Sequence, residues 1–489
     1  MIEVRCFHDL SRAEVFREGI NALNLASARP DPFSTFEFFE HSLRHLLRFA
    51  EGEPPRVWLL LAFDDRTLVG VLALKQSVHR VLGVRAVKLD WLTAFRADRP
   101  HLIARPEHAT AVAAAITGYL WKRNKEWSLL EFQQQDAGSP LRQRPADVAA
   151  GSQFHVWPNL ESGTLRLRWD SLASYVAELS KKSRSNVSRQ LRSLLAAGEV
   201  QVLTSSDPQS LPALFELYRE IEPHSWKQQA DASISRDRSS LEYYTGLMDP
   251  AQPMRIVIQV LLLDGVPITG LINGLFNNDL YALHIVYDDR LARLGPGSAI
   301  LLMGVRLAIE GRYDHLHLLQ GAGYYKTRWL AQMTETHSVQ IYRAGSPFYW
   351  RRVLGDCRRR WFERPAATAR SVLFNPVRRD IGTVEPDAAA DASMPMASAE
   401  NRLRYAALVA QVCRGPGEFL NATQLAAAMP FDTQRRLQRV GSAPAGGHNA
   451  AAGMCLPAIC SRRRANRPRV SQSGCTQSRT SAVSAHGTS

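Results

Sequence analysis

The sequence predicts an α/β protein: two similar units of mixed, largely antiparallel sheet, with a helical insert between them and an irregular tail after them. Two observations predict this. A strand–turn–strand pattern at 57–74 returns at 255–276, and each copy is followed by a further strand-like stretch, a helix and another strand. Past about residue 360 the composition changes, and regular apolar periodicity fades. A chain of 489 residues is too long for one ordinary core and allows two or three domains.

In the first copy, 57–63 is an apolar run, Asp64-Asp65-Arg66-Thr67 a turn and 68–74 a second strand. A helix is expected at 109–125 and a strand at 128–133. In the second copy, 255–263 and 266–276 are strands around Asp264-Gly265. Asp-Gly between apolar runs favours a type I′ hairpin, whose two central residues take positive φ. The second helix is expected at 298–310 and its strand at 315–319. Antiparallel strands leading through a crossover helix to a neighbouring strand make the same α/β unit twice. Between the copies, 171–179, 183–196 and 211–220 read as helices, the middle one basic. The chain divides accordingly into 1–160, 161–360 and 361–489.

The tail is rich in Ala, Gly, Ser, Arg and Pro and cannot bury enough apolar surface to offset its ordering entropy. It reads as mostly disordered over 365–489, with one short helix at 401–411 or 422–429. Apolar residues make up 45% of the chain and charged residues 22%, as in soluble globular proteins. No apolar run approaches the roughly 20 residues of a membrane span, and the first residues lack a secretory signal pattern. The expected compartment is the cytoplasm, with peripheral contact to the inner membrane as a further expectation. Six cysteines are scattered without metal-finger spacing, so no metal site is expected. The net charge of +14 points to an anionic partner, although part of the excess belongs to the arginine-rich tail.

The copies differ between strand and second helix. The second has Arg290-Leu291-Ala292-Arg293-Leu294-Gly295-Pro296-Gly297-Ser298, and the first has the glycine-free Arg105-Pro106-Glu107-His108. Glycines let backbone amides approach a phosphate, and a helix start adds partial positive charge. Arg293, Leu294, Gly295, Gly297 and Ser298 are therefore the expected pyrophosphate-binding residues. Only the second copy is equipped for this.

Strand, arginine-containing glycine loop, helix and strand resemble the cofactor-binding core of the GNAT acyltransferases. A duplicated core with a basic insert resembles their FemAB/FemX-like and CelD-like branch, over roughly residues 1–350. Four segments carry the resemblance: Lys182-Ser183-Arg184-Ser185-Asn186-Val187 through Gly198, Ser225-Trp226-Lys227, Pro296-Gly297-Ser298, and Gly321-Ala322-Gly323-Tyr324-Tyr325-Lys326. Gln320-Gly321-Ala322-Gly323 departs from the pattern by lacking the usual acid, so no base is assigned there. The resemblance implies tandem GNAT-like units and acetyl-CoA or another acyl-CoA as co-substrate, without a metal. It also implies transfer to an amino group of a sugar or small metabolite, in exopolysaccharide or envelope synthesis.

Within that reading His284, on the strand before the loop, is the candidate base, and Tyr325 the candidate acid for the departing thiolate. A packed core histidine and a tyrosine at a domain edge are the plain alternatives. Lys326 reads as an exposed cation for an anionic substrate, and Trp226 with Lys227 as a sugar- or nucleotide-facing platform. The run 181–192 is either a solvated helix or the seat of an anionic partner. DNA is not expected, and no RNA-binding module with interleaved aromatics is visible. Two alternatives stay open: an aminoacyl-tRNA-dependent transferase of the FemX type, and a catalytically degenerate scaffold of polysaccharide machinery. The absence of a G-x-S-x-G elbow and of an early G-x-G-x-x-G disfavours a hydrolase and a dehydrogenase.

Overall fold

The computed structural model describes residues 2–362 apart from 51, 95–96, 146–151, 229–232, 236 and 322, together with 399–413 and 418–420. The first half runs β1 (Ile2–Phe7), α1 (Arg17–Leu25), α2 (Phe36–Arg48), β2 (Arg56–Asp64), β3 (Thr67–Val81), β4 (Val84–Trp91), β5 (Ile103–Ala104), α3 (Ala109–Lys122), β6 (Leu129–Asp136) and β7 (Gln153–Pro158). The second runs β8 (Ser162–Arg166), α4 (Leu172–Glu178), α5 (Lys181–Ala197), β9 (Val200–Ser205), α6 (Leu211–Arg219), α7 (Arg238–Leu247), β10 (Arg255–Leu263), β11 (Val266–Phe276), β12 (Asp279–Tyr287), α8 (Pro296–Glu310), β13 (His315–Gln320), α9 (Gly323–Arg328) and β14 (Gln332–Thr334). Then come β15 (Thr336–Tyr342), α10 (Pro347–Phe362), α11 (Ala399–Cys413) and β16 (Glu418–Leu420).

Two mixed, largely antiparallel sheets result, as the sequence predicts. One is ordered β1-β2-β3-β4-β6-β15-β7, with β5 on β3; the other is ordered β14-β8-β13-β12-β11-β10-β9-β16. Each contains one parallel pair, β4 with β6 and β12 with β13. The expected hairpins form. Asp264 and Gly265 take φ of 50° and 76°, the positive values a type I′ turn requires. The halves also interlock. β15 lies beyond the second sheet in sequence, yet inserts between β6 and β7 of the first.

Both faces of the long strands are apolar, so each sheet is covered twice. On β2, Val57, Leu59, Leu61 and Phe63 join the core shared with the second sheet, while Trp58, Leu60 and Ala62 pack with α3. The opposite face of the second sheet packs against α4, α5 and α8. α11 lies on α6, where Tyr405 is buried and Arg404 pairs with Glu220 at 2.6 Å. β16 pairs with β9. α11 contains the 401–411 expectation; apart from it, β16 and the end of α10, the tail lies outside the described residues.

Candidate active site

The parallel ladder between β12 and β13 holds only at Asp279–His315, Leu280–Leu316 and Tyr281–His317. Both strands continue beyond it, so they splay. Two local irregularities shape the opening. β12 carries one extra residue against β11: Ala282 opposes Asn273 but His284 opposes Ile272. That bulge lets Tyr281 and His284 face the same side, which strict alternation forbids. In β13 the register against β8 shifts between His317 and Leu319, and Leu319 takes φ 55°. A branched residue in that region is strained, a feature that concentrates at functional sites.

The glycine turn lies past the end of β12. Asp288 chelates Arg290 and caps a 3₁₀ turn over Asp289–Leu294. Gly295 then takes φ 69°, and α8 begins at Pro296, two residues before the expected start. The amides of Gly295 and Ser298 are engaged within the turn. The groups the turn presents to an anion are the Gly297 amide, the dipole of α8 and the exposed Arg293. The cradle is close-fitting. A Cβ on Gly295 would lie 2.5 Å from the Gln190 side chain of α5, and one on Gly297 would lie 3.0 Å from the Tyr287 ring. Leu294 is half-buried against α8's core.

Trp226 and Lys227 lie beside this turn, because the Asp289 carboxylate accepts the Trp226 backbone N–H. Burial nevertheless raises the Asp289 pKa. The Trp226 ring is 41% exposed, whereas Lys227 is buried with Nζ 5.9 Å from the indole centroid. The indole is thus open to solvent, and the expected cation beside it is buried. His284 is buried, and its Nδ1 shares a hydrogen bond of 2.5 Å with the Tyr218 hydroxyl. The Tyr244 ring stands 5.6 Å from it.

Tyr325 and Lys326 stand on α9, across β13 from His284. Tyr325 is half exposed. Lys326 is fully buried, which corrects the expectation of an exposed cation. Its ammonium donates to the Leu319 carbonyl, and burial pushes its pKa down to about 8 against the opposing charges of Asp98 and Glu161. The same α/β turn that suggested a surface cation folds back against Gly163 of β8 instead.

Asp98 and Arg99, from the first half, reach the same place. Asp98 accepts the Ser162 hydroxyl at 2.8 Å and pairs with Arg99 Nε at 3.0 Å, all buried. Arg99 takes φ 51°, and its amide donates to Gln134 Oε1 at 2.7 Å. Its charge acts on His317. The first half has a splay of its own, since β4 and β6 pair only at Lys88–Leu129 and Leu89–Leu130. There the Trp91 indole bridges to the Gln133 carbonyl at 3.1 Å. Asp98, Arg99 and Tyr218 carry no motif, and Gln190 is marked in the sequence only as part of the basic run 181–192. Only the fold brings them to the splay.

Residues 181–327 match the family model of the acetyltransferase (GNAT) domain. The chain thus carries a GNAT acetyltransferase domain, and with it acyltransferase activity and a co-substrate of the acyl-CoA type. Among solved structures, FemX is similar at 11% identity and a TM-score of 0.47, over 68% of this chain and 97% of that one. A tandem GNAT protein from the clavulanic acid biosynthesis pathway matches at 13% and 0.39, over 71% and 99%. The C-terminal domain of a putative lysylphosphatidylglycerol synthetase from Agrobacterium fabrum matches at 11% and 0.40, over 66% and 96%. At such identities and TM-scores these likenesses carry no functional argument. No curated protein matches the chain in sequence. No helix among the described residues is long and apolar enough to cross a membrane.

Proposed function

We propose that the protein is an acyl-CoA-dependent N-acyltransferase acting on an amino group of a sugar or other small metabolite. The observation that carries this reading is the splay of β12 from β13 with a close-fitting glycine turn beyond it. Unpaired strand edges offer hydrogen bonds to an extended pantetheine arm, and the turn offers Gly297, Arg293 and the α8 dipole to a pyrophosphate. The co-substrate supplies the activated acyl group. The protein supplies proximity, and a backbone N–H of splayed β12 polarises the acyl carbonyl. His284, oriented by Tyr218, takes the ammonium proton, directly or through water, and Tyr325 returns one to the thiolate. Trp226 faces the acceptor. Asp98, Arg99 and Lys326 bound the acceptor side, so both halves contribute to selection. A role in exopolysaccharide or envelope synthesis, in the cytoplasm or at the inner membrane, follows from the resemblance to the CelD-like branch.

A second reading keeps the fold but takes an aminoacyl-tRNA. It is favoured by the placement of α5, which rests on the glycine turn and exposes Lys181, Lys182, Arg189 and Arg192. The test is direct. Acetyl-CoA should raise the Tm of the wild type and not of Gly297→Glu, and amino sugars should release free CoA. Absence of CoA binding together with salt-sensitive tRNA binding would overturn the first reading in favour of the second.

A further inference from the structure

Asp279 opens β12 and His315 opens β13, directly opposite each other in the parallel register. His317 lies two residues on, hence on the same face of the strand. The Asp279 carboxylate divides between them: Oδ1 is 2.9 Å from His315 Nδ1 and Oδ2 is 3.1 Å from His317 Nε2. One ligand-type atom from each residue lies within 4.8 Å of the others. The outer partners are also in place. Thr164 Oγ1, across the ladder on β8, is 3.1 Å from His317 Nδ1. The Tyr281 ring stacks on the His317 imidazole with centroids 4.4 Å apart. The backbone beneath is tied, because Asn277 and Asn278 form a positive-φ turn and Asn278 bonds the backbone and carboxylate of Asp314. His317 and Asp279 are mostly buried, while the His315 side chain is 39% exposed and leaves a way in from solvent.

We propose that Asp279, His315 and His317 bind a divalent transition ion of the zinc class. Two imidazoles and one carboxylate form a donor set that favours zinc, cobalt or ferrous ions over magnesium and calcium, which take oxygen ligands. Three protein ligands leave a position for water. The Thr164 contact fixes the His317 ring so that Nε2 faces the ion, the usual device for orienting a ligating histidine. The site spans the β12–β13 ladder, from its first pair to His317 in its last, so the ion ties the two strands together just before they splay. This departs from the sequence expectation of no metal. The His-Leu-His spacing was visible, but its carboxylate came from a distant strand. The competing account is a proton-linked His–Asp–His relay with the same hydrogen bonds and no affinity for metal.

The test uses the untagged full chain stripped with EDTA, then titrated calorimetrically with Zn²⁺ and spectroscopically with Co²⁺. One equivalent bound with micromolar or tighter affinity, and intense visible Co²⁺ bands, are expected. His315→Ala, at an exposed position, should weaken binding at least a hundredfold without unfolding. Thr164→Val should weaken it about tenfold. Wild-type affinity no greater than that of His315→Ala overturns the site and leaves the relay. That result would not touch the acyltransferase reading, which the acetyl-CoA experiment decides separately.

Discussion

The Tyr218 hydroxyl, on α6, and Nδ1 of His284, on β12, share a hydrogen bond of 2.5 Å, and the pair is buried. Burial, with the Glu222 and Tyr244 charges, pushes the Tyr218 phenol well above its usual range, so it stays a neutral phenol. For His284 to act as a base, Nδ1–H donates to the phenol oxygen and Nε2 keeps its lone pair. An acceptor at Nδ1–H favours the imidazolium that forms when Nε2 takes a proton.

The first prediction follows from this pairing. Tyr218→Phe removes that acceptor, and the acid limb of the kcat/KM profile should move to lower pH as His284 becomes harder to protonate. kcat should fall about tenfold or more if His284 takes the substrate proton, with KM for acetyl-CoA little changed. A role confined to packing would lower Tm, by leaving a buried nitrogen unsatisfied at a cost of about 1–3 kcal/mol, and would leave the pH limb in place.

Lys326 gives a pH-dependence of stability with a definite sign. Its folded pKa of about 8 lies below the ordinary 10.5, so between those values the unfolded chain binds more protons. Stability therefore rises with pH across that window, and the penalty of the buried charge is fully present below it. It amounts to about 3 kcal/mol at most. Lys326→Met should be more stable than wild type at pH 7, and the difference should shrink toward pH 10. Thermal unfolding of both proteins across that range reads it directly. Activity should drop in the same variant if the ammonium serves the acceptor.

Asp98 provides a second handle on the same lysine from the other half of the molecule. Its negative charge holds the Lys326 pKa up against burial. Asp98→Asn should lower that pKa further and shift the stability difference to lower pH. The variant also leaves Arg99 buried beside a neutral amide, so a loss on the order of 3 kcal/mol is expected. A shift in the pH profile separates the electrostatic effect from the general loss.

Much of the fold was legible locally. Apolar runs flanking Asp264-Gly265 encode a hairpin whose turn accepts positive φ, and the expected helices at 171–179, 183–196 and 211–220 form with ends within a few residues. The site was legible only where its chemistry sits in one segment, as in the turn at 293–298. Asp98 and Arg99 become site residues through the interlocking of two sheets, a non-local event that no window contains. Lys326 misled for the same reason: a polar residue after a glycine turn reads as surface until β8 and β14 close over it. The strained Leu319 carries no mark at all, since an ordinary leucine is forced into positive φ by the register shift around it.

The close approach of Gln190 to Gly295 supports a last prediction, about how the insert and the cofactor turn act together. Gly295→Ala imposes two separable costs: a side chain at φ 69° and an overlap with Gln190. Positive φ alone costs an alanine about 1 kcal/mol, and the overlap adds a displacement of α5 from the turn. Combining Gly295→Ala with Gln190→Ala should remove the second cost and keep the first, so the pair should be non-additive in Tm. Protection by acetyl-CoA should follow the same order: strongest in wild type, weakest in Gly295→Ala and partly restored in the double variant. Additive losses would mean that α5 and the turn are energetically independent, and that the basic helix takes no part in holding the donor.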